Sequence, residues 1–216
     1  RKEMENKKFD IIVADPAWKY DGKTGVSKKV DEHYQVQHAT TWNSLPVADI
    51  AADDSLLFMW CSGPVLKQAI ELMGEWGWTY KQIAFIWDKE RIIPSSYVNT
   101  QTEMVIVGKR GKIPQPRGCR KQRQMLQEPR GKHSAKPEVV QDRIDLMFPT
   151  QNKLELFARR HREGWTCEGN ELDGLDIFDW VDKWSKDEIV DNDNHYQRVH
   201  CEQESVEESL DISNGM

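Results

Sequence analysis

Long apolar runs are absent from this 216-residue chain. No stretch approaches the length of a membrane span, and the opening RKEMENKKFD lacks the apolar segment of a secretory signal. No membrane partner is expected. Cysteine is scarce as well. Cys61, Cys119, Cys167 and Cys201 stand far apart with no CxxC pair, and the six histidines do not join them at ligand spacing. That distribution fits neither a disulfide framework nor a zinc site, so the expectation is a reducing, cytoplasmic setting and no metal. Hydrophobic residues make up only 38%, and much of the shortfall falls in one charged C-terminal stretch. What remains is long enough to bury a single-domain core.

A surplus of positive charge is also missing. The formal net charge is −6, which taken alone disfavours a nucleic-acid partner. The distribution says otherwise. Between Lys109 and Lys136 ten lysines and arginines accompany a single acid, Glu128, whereas from Glu168 onward fifteen acids accompany three bases. The basic run includes Arg117, Arg120, Lys121 and Arg123 and holds no aromatic residue, so it is suited to phosphates rather than to bases. An ordinary solvated loop fits it equally well. Its prolines and glycines argue against a long internal helix.

Residues 9–14, FDIIVA, read as a buried strand that stops at Asp15-Pro16. Further strands are expected at 55–60, 80–87, 102–108 and 153–158. One helix is expected after Pro64, stopping near Gly74 or Gly77, and a second from Pro137 to about Met147. Residues 19–33 read as a loop. Strands alternating with helices specify an α/β fold with a doubly wound, mainly parallel sheet, whose ligands bind beyond the carboxyl ends of the strands. Asp15–Trp18 and Arg159–Arg162 each follow a strand and are therefore expected on one rim. The expected domain is 1–184, followed by an acidic, disordered tail over 185–216. No internal repeat is present.

The tetrapeptide Asp15-Pro16-Ala17-Trp18 carries the chemistry. Its Asp supplies a carboxylate, its Pro a carbonyl held in a fixed direction, and its Trp a ring that can stack on an unpaired base. Two acceptors suit an exocyclic adenine amine, a poor nucleophile whose lone pair is drawn into the ring. A strand ended by Asp-Pro and followed by a core tryptophan reads just as naturally from four residues.

Longer blocks narrow the choice. FDIIVADPAW, SLLFMWCSGPVLKQAIELMGEWGW, TEMVIVGKRG, HSAKPEVVQDRI and KLELFARRHREGWTCEGNELDG occur in that order, with His33-Tyr34 after the first. Together they resemble the MT-A70-like family of N6-adenine methyltransferases, in its DPxW form, over about residues 9–175. The resemblance implies a circularly permuted, Rossmann-like fold and S-adenosylmethionine as cofactor. It also implies methyl transfer to the N6 amine of adenine, in DNA or alternatively in RNA. Asp15, Pro16, Ala17 and Trp18 would form the catalytic segment. Tyr34 would lie near the base, and Glu103 would line the adenine pocket. Lys136 would reach the cofactor or the nucleoside. Arg159, His161 and Arg162 would stand at the cofactor rim, with Asn170 and Glu171 on its ribose and adenine ends.

The chain departs from the family pattern at several positions. Ala17 replaces a second proline, Ala135 stands where relatives often carry histidine, and Arg162 and Glu171 stand where they commonly carry amides. The family's upstream segment is expected to be absent or truncated. Other readings remain: Glu103 and Lys136 as surface charges, His161 as a solvated loop residue, Trp165 as core. Relatives also include catalytically silent nucleic-acid-binding subunits, but these tend to lose the acceptors that Asp15-Pro16 retains here. Homo- and hetero-oligomers both stay open.

Overall fold

The computed structural model describes residues 8–18, 42–95, 97–129, 131, 135–170, 172 and 176–186. The loop read at 19–33, the residues Tyr34 and Glu171, and the tail beyond Lys186 lie outside the described residues. Among the described residues, seven strands form one sheet: β1 Phe9–Ala14, β2 Ala51–Cys61, β3 Thr79–Ile93, β4 Thr100–Arg110, β5 Met125–Gln127, β6 Lys153–Leu156 and β7 Thr166–Glu168. Their spatial order is β5-β3-β4-β2-β1-β6-β7. Neighbours pair parallel at β1–β2, β1–β6, β6–β7 and β3–β5, while β4 runs antiparallel to both β2 and β3. The sheet is thus mixed. A direct hairpin joins β3 to β4, and only a long crossover would have allowed those two strands to run parallel.

Among the described residues, the helices that cover the sheet are α1 Leu66–Glu75, α2 Val139–Met147 and α3 Ile177–Ser185. Pro64 sits in a single 3-10 turn that opens α1, and Gly77, with φ 99°, ends it while the Trp78 amide returns to the Met73 carbonyl at 3.0 Å. Period-two alternation divides the strands between two cores. Ile12, Ala14, Leu57, Met59, Ile106, Leu154 and Leu156 face one side, against α1, α3 and the indoles of Trp42, Trp76 and Trp78. Ile11, Val13, Phe58, Trp60, Phe85, Trp87, Val105 and Val107 face the other, beneath Val140 and Ile144 of α2 and beside Phe148 and Trp165. With both faces covered, the central strands are apolar on both sides. Trp165 is 1% exposed and belongs to the core.

Sequence patterning missed β5, β7 and α3. Each of the two strands is three residues long, too short for alternation to register. α3 did carry a signal. Asp176 caps it by accepting from the Phe178 amide at 2.9 Å, and Ile177, Trp180, Val181 and Trp184 form its buried stripe. That stripe stacks Trp180 on Trp184, with ring centroids 4.9 Å apart, and sets Trp184 5.0 Å from Phe9 of β1. Trp180 is 6% exposed and Trp184 3%. Trp180→Ala is expected to lower unfolding stability by about 3–5 kcal/mol. Chemical denaturation at unchanged m-value checks this, and a loss below about 1 kcal/mol would show that α3 is only loosely docked.

Candidate active site

The carboxyl ends of β1, β2, β3 and β6 and the start of antiparallel β4 lie along one rim, as their register requires. Parity then selects which side chains meet there. Asp15 continues the Ile11–Val13 face of β1, Glu103 the Val105–Val107 face of β4, and Lys89 the Phe85–Trp87 face of β3. Lys136 enters from the segment that leads into α2. The result is a chain of alternating charge. Lys89 Nζ donates to Glu103 Oε1 at 3.1 Å, Lys136 Nζ to Glu103 Oε2 at 2.8 Å, and Lys136 Nζ lies 3.2 Å from Asp15 Oδ1. The Lys136 ammonium also stands 5.4 Å from the centre of the Trp60 ring. Glu103 and Lys136 are therefore partners in a half-buried network, not surface charges.

Burial raises the Asp15 carboxyl above the ordinary aspartate range; the Glu103 charge pushes the same way, while Lys136 and Arg159 pull against it. Glu103 ends below its usual value because its two lysines outweigh the burial that opposes ionisation. Lys136 is held charged well beyond neutrality, its two carboxylates overcoming desolvation. Behind Asp15, on the same face of β6, burial raises Glu155, which accepts from the Gln141 amide at 3.2 Å. Burial pushes the nearby Cys61 thiol up to about 12, with Glu103 adding to the shift, so it carries no thiolate at neutral pH. Among the described residues, no group of three His, Cys, Asp or Glu is placed to hold a metal ion, and no helix is long and apolar enough to cross a membrane.

The other residues singled out from sequence divide. Trp18 is 7% exposed and its indole N–H donates to the Trp60 carbonyl at 2.9 Å. It is built into the core as the wall behind the motif, and the aromatic face beside the charges belongs to Trp60. Arg159 follows β6 closely enough for its charge to act on Asp15. His161 and Asn170 are exposed beyond β6 and β7. Arg162 is held by α2: its guanidinium reaches Asp142 at 2.6 Å and Asp145 at 2.9 Å. Arg160 is likewise bonded to Glu138.

The basic segment is fastened to the fold at the end of α2. Amides of Gly118 and Cys119 donate to the carbonyls of Met147 and Leu146 at 2.9 and 2.7 Å, and Gln151 donates to the Pro116 carbonyl at 2.8 Å. Arg117 packs its guanidinium 4.9 Å from the Phe148 ring. These anchors are at the exit of α2, level with the start of β6 and of β1. That end of β1, at Phe9, is about 20 Å from Asp15 at the usual strand rise. Arg120, Lys121 and Arg123 are exposed there, and the segment then climbs as β5 to the active rim, where the Glu128 amide meets the Asp88 carbonyl at 3.3 Å.

Glu155 and Trp60 were missed because their positions read as ordinary strand, and Lys89 because it falls just past the strand expected at 80–87. The available signal was strand parity, since each shares a sheet face with Asp15 or Glu103.

An MT-A70 family model matches residues 9–171, spanning the whole rim from β1 to the turn after β7. The chain belongs to the MT-A70 family. Among relatives, it is 41% identical over 187 residues to the Type II methyltransferase M.MunI of Mycoplasma sp, covering 79% of this chain and 80% of that one. It is 28% identical over 192 residues to the N(6)-adenosine-methyltransferase catalytic subunit METTL3 of Homo sapiens, covering 80% of this chain and 30% of the relative. For the N(6)-adenosine-methyltransferase MT-A70-like of Arabidopsis thaliana the identity is 27% over 185 residues, covering 79% and 24%. The charged rim lies within the residues 9–171 that the family model matches.

The ion chain makes a titration prediction. If Asp15 works as an ionised acceptor, activity falls as pH drops through its raised pKa. Lys136 is the strongest of the charges that lower that pKa, so Lys136→Met is expected to move the acid limb of kcat/KM to higher pH. Glu103→Gln removes an anion that raises it and thus opposes that displacement. Acid limbs that coincide in wild type and Lys136→Met would remove Asp15 as the titrating group.

Proposed function

We propose that this chain is an S-adenosylmethionine-dependent methyltransferase acting on the N6 amine of adenine in DNA. One observation carries the reading: the Asp15 carboxylate at the end of β1 is buried against Lys136 and followed by Pro16, inside the residues 9–171 that the MT-A70 family model matches. The carboxylate and the Pro16 carbonyl accept the two amine N–H bonds and shift electron density to nitrogen as the new bond forms. Lys136 stays protonated and is no base; it fixes Asp15 and balances its charge. The surplus proton leaves the methylated nitrogen afterwards, by way of Asp15.

The donor set fits the cofactor. An amino-acid end bearing one carboxylate and one ammonium calls for one cation and one anion, which Lys136 and Asp15 supply at 3.2 Å from each other. Arg159, His161 and Asn170 extend the same rim and would hold its carboxylate and ribose. Glu171, outside the described residues, is assigned there by sequence alone. Arg162, occupied by Asp142 and Asp145, would serve that rim by fixing the start of the turn. Bound S-adenosylmethionine supplies an electrophilic methyl group. DNA is favoured over RNA because the higher identity is to a Type II methyltransferase, Type II being the nomenclature of DNA modification enzymes.

Two experiments test the proposal. Labelled cofactor is incubated with unmethylated duplex DNA, single-stranded DNA and RNA, and the products are digested to nucleosides. N6-methyldeoxyadenosine is expected, and Asp15→Asn is expected to lower its formation about a hundredfold or more while the fold persists. Label only in RNA would move the substrate; near-normal turnover by Asp15→Asn would remove the mechanism. The second concerns the basic segment. Arg120, Lys121 and Arg123 are replaced together by Ala, with Arg117 left in place because it packs on Phe148. Loss of up to three phosphate contacts should weaken DNA binding regardless of sequence and flatten the slope of log affinity against log salt by up to about 2.7 units. Parallel slopes would return the segment to an ordinary solvated surface.

A further inference from the structure

Beyond the level of Cys61 and Met104, where β2 stops, β3 and β4 continue as a two-stranded ribbon above the active rim. β5 reaches only to Asp88, so past that point neither side of the ribbon is flanked by a further strand of the described sheet. The ribbon is bent at its root. Glu90 has φ 52°, the register slips between Asp88 and Ile93, and Asp88 accepts from the Glu90 amide at 2.9 Å and from Gln101 at 3.2 Å. That root also carries Lys89 and Glu103, so ribbon and pocket wall are one piece of backbone.

The tip is apolar and bare. Tyr97 is 97% exposed, Val98 70%, Ile92 62% and Ile93 37%, four of the seven large hydrophobic residues exposed among the described residues. Arg91, also exposed, adds a cation beside them. Such a concentration marks a contact surface. Its position says for what. The Asp15 side chain is only 17% exposed, so an adenine reaches it only after leaving its stack, and a gap opens in the duplex directly above the pocket. From Glu103 to the tip is three to six residues of strand, on the order of 10–20 Å, within the width of a duplex.

We propose that the ribbon tip is a DNA-opening wedge: Tyr97, flanked by Ile92 and Val98, enters the stack beside the target adenine and holds the vacated position, while Arg91 meets a neighbouring phosphate. The proposal rests on the DNA-adenine reading above. Apolar wedges elsewhere offset unstacking by filling the opened step. Here the wedge and the acceptor pocket are fixed to each other through the Lys89–Glu103 root.

The test uses the whole chain and a triple variant, Ile92→Ser, Tyr97→Ala and Val98→Ser, all at exposed positions. Wild type first methylates unmethylated genomic DNA so that its sequence can be mapped. Duplexes carrying that sequence are then compared with the target adenine paired or placed opposite an abasic position. The variant is expected to lose about thirtyfold in kcat/KM on the paired duplex, and to stay within about threefold of wild type on the abasic one, where little opening is needed. Equal losses on both would overturn the wedge while leaving the enzyme assignment intact. Size-exclusion measurements over a range of concentrations, showing a dimer in wild type that the variant loses, would assign the tip to a second copy and overturn the wedge as well. If wild type methylates no DNA adenine at all, the underlying reading falls and the wedge with it.

Discussion

The ion chain Lys89–Glu103–Lys136–Asp15 is the constraint around which the site is organised. Each member alone would be costly to bury, since desolvation of an isolated charge runs to several kcal/mol. Alternation resolves this: two cations and two anions sit within hydrogen-bond reach of their neighbours, and Glu103 Oε1, Glu103 Oε2 and Asp15 Oδ1 each face an ammonium. The cost is transferred to geometry. Four side chains from three strands and one loop must arrive on one sheet face at one rim, so strand register and the direction of β4 cannot vary without stranding a charge. Its antiparallel course matters here, because it brings the first residues of β4, instead of its last, to the rim where the parallel strands end.

The same chain gives its members unlike electrostatic characters. Lys136, beside two carboxylates, is shifted towards its cationic form; Glu103, beside two lysines, is shifted towards its anionic form. Asp15 has one nearby ammonium against strong burial and is left the most easily protonated of the three. A group in that position is sensitive to whatever displaces Lys136. α2 in turn controls where Lys136 enters. Its start is tied to Arg160 through Glu138, its acidic face to Arg162 through Asp142 and Asp145, and its exit to the Gly118–Cys119 amides. The basic segment thus has a structural duty in holding α2, separate from any contact with a polymer.

Much of this was legible in the sequence, for identifiable reasons. FDIIVA ended by Asp-Pro is an unambiguous strand and stop, and the block order implied the family and a mainly parallel α/β sheet, which four of the six strand pairs bear out. Lys89 was hidden because DKER at a strand end looks like any solvated turn; its value comes from pairing opposite Glu103, which depends on a hairpin whose register includes a slip. Trp18 illustrates the converse. An indole two residues after Pro16 suits stacking on a base, yet its N–H is committed to the Trp60 carbonyl, a partner forty-two residues away that local pattern cannot reveal. The basic run was seen as charge, but its anchoring depends on backbone amides, which have no residue signature.

The strand order has one more consequence, concerning self-association. The outermost strands of the sheet, β5 and β7, are three residues each, whereas the long strands β2, β3 and β4 lie inside it. An outer strand that short presents only a few unpaired amides and carbonyls, too few to template another chain. Edge-to-edge pairing is therefore disfavoured at β5 and β7, whereas β3 keeps an open edge on either side of the three residues it pairs with β5. The bend at the root of the ribbon, where Glu90 has φ 52° and the β3–β4 register slips, interrupts that open edge and so limits chain-to-chain pairing beside the apolar tip.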